Sequence, residues 1–171
     1  MTAPMKSPAN IFFVLALVML STGVVMGLLG SVCYIAPGFL KDSIGFSALR
    51  PMHVTAVMFW ILLGAQACVH SGLEESGAPS VSKFLLKLQW SLWITAIIGI
   101  FYAYLTHRFG GREYWEFPPA LSSLLLLAWT IHLFTFFRRS INIKSWPVYV
   151  WMWMTGSVFF LFIFLENYLW I

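Results

Sequence analysis

Residues 10–34 read NIFFVLALVMLSTGVVMGLLGSVCY, a stretch without one charged side chain. The charge-free window around it runs from Lys6 to Lys41 and holds 34 residues. Four more windows follow: 23 residues between Arg50 and Glu74, 20 between Lys87 and Arg108, 21 between Glu116 and Arg138, and 21 between Lys144 and Glu166. A helix that crosses a bilayer needs roughly 20 mostly apolar residues. The pattern therefore predicts five spanning helices, near 10–34, 51–70, 88–107, 118–137 and 147–168. Pro51, Pro118, Pro119 and Pro147 fall at or near the starts of these spans, where a missing N–H costs little. A buried helix of a soluble protein accounts for any one window, but not for five in succession on short loops. The first span is too long for a signal peptide and lacks a clear small-x-small cleavage site.

Composition agrees. The chain has 171 residues, of which 60% are hydrophobic and 9% charged, with a mean hydropathy of +0.84. Soluble domains carry about 25% charged residues, and a chain this short cannot enclose so much apolar surface. The net charge of +4 does not indicate nucleic acid, because the basic residues punctuate apolar runs instead of forming a patch. The fold class is an all-α membrane protein, a single transmembrane module over residues 1–171. With five spans the two ends lie on opposite sides. Lys6, Lys83, Lys87, Arg138, Arg139 and Lys144 share the N-terminal side; Lys41, Arg50, Arg108 and Arg112 share the other. The positive-inside rule places the N-terminus in the cytoplasm. Trp90, Trp93, Trp146 and Trp151 suit an interfacial belt. Cys33 and Cys68 are expected at opposite membrane faces and so cannot pair.

Two constellations carry chemistry. His53 is expected about one turn into the second span from the outer face, and an ionisable group inside a span is a functional hypothesis by default. Neutral imidazole is the usual axial ligand of haem iron. His53, Val57, Trp60, Gly64 and Ala67 form one stripe, small enough near Gly64 for a macrocycle or a neighbouring helix to approach. Arg50 lies one turn further out, where a guanidinium suits haem propionates. The plainer alternative is a histidine hydrogen-bonded to another helix, with Arg50 reaching the headgroups. The second constellation is Gly110-Gly111-Arg112-Glu113-Tyr114-Trp115-Glu116-Phe117-Pro118-Pro119, an outer loop on the same side as His53. On a helical turn Glu113 and Glu116 would face the same way, as calcium ligands, or with one carboxylate kept partly protonated by burial and passing protons. Otherwise they belong to a solvated loop with a weak ion pair to Arg112.

His107, at the outer end of the third span, is a possible second ligand. His70 and His132 lie on the inner side, His132 reading as a packing or hydrogen-bonding residue; Glu166 lines a proton path or reaches the interface.

Arg50-x-x-His53 opening the second span, with Gly111-Arg112-Glu113-Tyr114-x-Glu116-x-Pro118 before the fourth, resembles the N-terminal part of the haem-copper oxidase superfamily catalytic subunit. The pairing is similar to nitric oxide reductases and C-type oxygen reductases. Trp60 and Gly64, seven and eleven residues after His53, look closer to the nitric oxide reductase large subunit. The resemblance implies that His53 is an axial ligand of a low-spin haem b and that Arg50 neighbours the propionates, with Arg112 also on the cofactor side. It implies that Glu113 helps hold a calcium, with Glu116 beside it. The family's subunit has about twelve helices, so the catalytic haem and non-haem metal are expected outside this segment, on remaining helices or a partner membrane chain. No catalytic residue is assigned here, and the chain alone is expected to be inactive. The electron donor would be a cytochrome c or quinol, and the location the bacterial inner membrane, in contact with lipid. The competing readings are a C-type oxygen reductase, a self-contained bis-histidine cytochrome b with His53 and His107 as ligands, and a membrane subunit without haem.

Overall fold

The computed structural model describes residues 8–110, 112–141 and 146–169; Lys6, Gly111 and Lys144 of the sequence analysis lie outside them. Five helices follow in order: α1 (Pro8–Ile35), α2 (Gly45–Glu75), α3 (Lys83–Leu105), α4 (Pro119–Ser140) and α5 (Val148–Leu169). All five contain windows long and apolar enough to cross a membrane. Even the 22-residue α4 reaches about 33 Å at 1.5 Å per residue, enough for a hydrocarbon core of about 30 Å.

Contacts between distant positions show that consecutive helices run in opposite directions. His70, near the end of α2, stacks on Phe12 near the start of α1. Thr55, early in α2, shares a 2.9 Å hydrogen bond with Tyr104 at the end of α3. Arg139, ending α4, bonds the carbonyl of Pro79 after α2. Trp115, before α4, meets Phe164 near the end of α5.

The largest departure from expectation is α2. It starts at Gly45, so Pro51 sits inside the helix, and it runs on to Glu75. Charges mark where the bilayer ends, not where the helix ends, and exposed Glu74 and Glu75 are free to continue it into the polar zone. The end of α2 is set by Gly77, whose φ of 72° brings Gly77 N to the Glu74 carbonyl and Ala78 N to that of Leu73. α3 begins five residues before the charge-free window, at Lys83. It ends at Leu105 by the same device, except that His107 takes the left-handed position, with φ 54°.

α1 and α2 form the most extensive helix pair. Their contact centres on Gly23 and Gly27, a small-xxx-small pair that lets helix backbones approach in lipid. A Cβ on Gly23 would stand 3.0 Å from Val57, and Gly64 of α2 meets Ala16 of α1. The core between α2, α3, α4 and α5 is aromatic, with Phe59, Trp93, Trp115, Phe117 and Trp129 buried. The outer faces of α1 and α5, including Val14, Leu28, Met152 and Phe162, are exposed apolar surface.

Candidate functional site

Because α2 starts early, His53 lies about two turns into the helix and half-buried against α1. Its Nδ1 is 2.7 Å from the carbonyl oxygen of Gly23. A carbonyl only accepts, so in this arrangement Nδ1 carries the proton and Nε2 keeps its lone pair. Gly27 makes the position available, since a Cβ there would collide with the ring. The ring borders a cavity of about 360 Å3, also walled by Gly27, Gly30, Tyr34, Phe46 and Arg50. The expected stripe along α2 faces α1 through Val57 and Gly64, whereas Trp60 is exposed.

Arg50 links that cavity to the loop before α4. Its Nη1 donates to Glu116 Oε1 at 3.0 Å, and Nη2 lies 3.8 Å from Glu113 Oε1. The loop is not the helical turn expected from the sequence. Tyr114 has a φ of 68°, Trp115 N bonds the Arg112 carbonyl, and Gly110 N bonds that of Glu116. Trp115 and Phe117 anchor it by burying their rings beside Phe59. The two carboxylates then meet through Arg50, with Glu116 the more enclosed. Arg112 pairs with Trp115 through the backbone and has an exposed side chain. Among the described residues no group of three or more His, Cys, Asp or Glu converges to hold a metal ion. Calcium takes six to eight oxygen ligands, so these two side chains would supply only part of a shell.

His107 is exposed at the end of α3 and packs against Phe109. Among the described contacts none joins it to His53. Glu166 is exposed on α5, and both cysteines are free.

A cluster on the opposite side was not anticipated. His70 and His132 are both buried, their rings 5.9 Å apart and edge to face. Arg139 Nη1 lies 3.3 Å from His70 Nδ1 and donates to it, while Arg139 Nε donates to the Pro79 carbonyl at 2.7 Å. His132 packs on Trp129, in keeping with its expected role. The only sequence signal for the cluster was intramembrane histidine itself, because Arg139 read as one of several charges flanking a span.

The residues present fit a haem at His53: an imidazole fixed through one nitrogen, a cavity of about 360 Å3 beside its ring, and a guanidinium on the wall of that cavity. A family model described as cytochrome c and quinol oxidase polypeptide I matches residues 7–170.

Proposed function

The chain belongs to the cytochrome c and quinol oxidase polypeptide I family, and from that premise we propose that it is the low-spin haem b-binding N-terminal part of a nitric oxide reductase-like membrane enzyme. The family is a haem-copper type of respiratory oxidoreductase that works in the membrane with other subunits. The observation that carries the haem assignment is the 2.7 Å contact between His53 Nδ1 and Gly23 O. Metal-binding histidines commonly donate their second ring N–H to such an acceptor, which fixes the tautomer and raises the basicity of the other nitrogen.

When bound, the haem would take up and release single electrons through its iron. His53 would hold it through Nε2, with Gly23 keeping the ring from rotating. Arg50 would present positive charge to the propionates, tempered by its bond to Glu116. Glu113, with Glu116 beside it, would give carboxylate oxygens to a calcium at the same rim, with Arg112 also on the cofactor side. The nitric-oxide-reducing assignment rests on the run Arg112-Glu113-Tyr114-Trp115-Glu116 and on Trp60 and Gly64 following His53. Electrons would come from a cytochrome c or quinol, and reduction would take place at metals held by helices outside this segment.

The test is His53→Ala in the assembled enzyme, read by the reduced-minus-oxidised spectrum. The variant is expected to insert and to lose the low-spin haem signal. An unchanged spectrum and haem content would overturn the assignment. Turnover of wild-type enzyme with oxygen but not nitric oxide would move the chain to the oxygen-reducing branch.

A further inference from the structure

The end of the bundle opposite His53 carries a cavity that the proposed electron transfer does not use. It measures about 730 Å3 and lies where the α2–α3 connection meets the end of α4, lined by Ser80, Ser82, Leu85, Thr135, Arg138 and Arg139. Arg139 is only 3% exposed, yet its Nη2 has no hydrogen-bond partner. A guanidinium is always charged, and leaving one of its N–H groups buried and unmatched is costly. Arg139 is one of the residues that wall the cavity, so an anion placed there would lie beside this buried charge.

Three further features give the acceptor its character. α3 starts at Lys83 on the cavity's edge, with no acidic residue in its first turn and no side-chain bond from its cap Ser82. The N–H groups and partial positive charge of that helix end are thus open to an anion. Arg138 adds a second guanidinium, against which Glu74 is the carboxylate whose charge reaches Arg139. The balance at the cavity is positive. A second cavity of about 370 Å3 adjoins the first through Arg138 and Ile141, and its other walls are Phe134, Phe137 and Trp146. A positive pocket beside an aromatic furrow at the end of membrane spans suits the polarity of a phospholipid.

We propose that these two neighbouring cavities bind one anionic phospholipid. Its phosphate sits against Arg139, Arg138 and the start of α3, and one acyl chain lies along Phe134 and Phe137. Basic pockets between spans at a membrane surface are a recognised means of holding such headgroups. The site lies beyond the end of α2, whose last residue, Glu75, is 22 residues after His53, and it does not depend on the haem assignment.

The test uses the chain purified from its membrane with the subunits it assembles with, stripped of loosely held lipid by detergent. Phosphatidylglycerol or phosphatidylcholine is then added and retained lipid is counted by native mass spectrometry. One phosphatidylglycerol per chain is expected to be retained in preference to phosphatidylcholine. Retention should fall about fivefold for each guanidinium removed, in Arg139→Gln and Arg138→Gln. Arg138 is exposed, so its replacement keeps the test decisive if Arg139→Gln fails to fold. Equal retention of both lipids, or retention unaltered by the substitutions, would overturn the proposal. Displacement of the lipid by millimolar inorganic phosphate would assign the pocket to the free ion and overturn the lipid.

Discussion

The ring of His53 lies so close to the backbone of Gly27 that a Cβ on Gly27 would stand 2.6 Å from Nδ1. One helix therefore fixes the position of a functional group carried by another.

Gly27→Ala is expected to force α1 and α2 apart or to turn the imidazole out of its bond with Gly23. Overpacking of this kind costs about 1–3 kcal/mol, more than alanine's helix propensity returns. The variant should unfold at lower temperature in detergent and lose most of the low-spin haem signal. Gly156→Ala on α5 is the control, since a Cβ there would meet nothing within 4 Å. It should match wild type in both measurements. Equal loss in the two variants would show that the His53 contact is not responsible.

The Arg50–Glu116 pair predicts a potential change with little stability change. Arg50 is half exposed, and such pairs contribute only about 0–1 kcal/mol. Thermal unfolding of Arg50→Gln and Glu116→Gln should therefore stay near wild type. Loss of the Arg50 charge favours the more positive oxidised haem, so the midpoint potential should fall. Loss of the Glu116 charge should raise it. An interaction of about 1 kcal/mol corresponds to roughly 40 mV for one electron. Shifts of the same sign in both variants would sink the charge argument. Metal analysis of the same enzymes, with Glu113→Gln added, tests the rim for calcium: Glu113→Gln should bind less than wild type, and equal calcium would remove Glu113 from the site.

The five spans were legible because bilayer thickness imposes itself on the spacing of charges, and no tertiary detail alters that count. Helix ends were less so, since capping at Gly77 and His107 is set by backbone geometry that hydropathy does not register. His53 stood out because an imidazole within a span is unusual. Its acceptor on α1 did not, because pairing of Gly23 and Gly27 with His53 depends on which faces of two helices meet. The Glu113–Glu116 spacing suggested a helical turn; burial of Trp115 and Phe117 made it a tight loop, and Arg50 still reaches both acids. Arg139 was read as a flanking charge. Its burial beside His70 arises from the convergence of two helix ends distant in sequence.

That convergence separates two histidines of similar burial. His70 Nδ1 accepts from Arg139 Nη1, whereas His132 Nδ1 has no hydrogen-bond partner. Removing one partner of a buried bond leaves the other unsatisfied, at about 1–3 kcal/mol and more where the group is charged. His70→Leu would leave a second donor of Arg139 unmatched and also remove the stacking of His70 on Phe12. A clear drop in the thermal midpoint in detergent is expected. His132→Leu instead replaces a ring whose Nδ1 is already unmatched with an apolar side chain facing Trp129 and Phe136. The backbone carbonyl of His132 that accepts from Thr135 is untouched. Its midpoint should stay close to wild type or rise. Haem spectra should be unchanged in both variants, because the cluster and His53 lie at opposite ends of α2. A His132→Leu variant less stable than His70→Leu would show that the Arg139 contact does not hold this end of the bundle together.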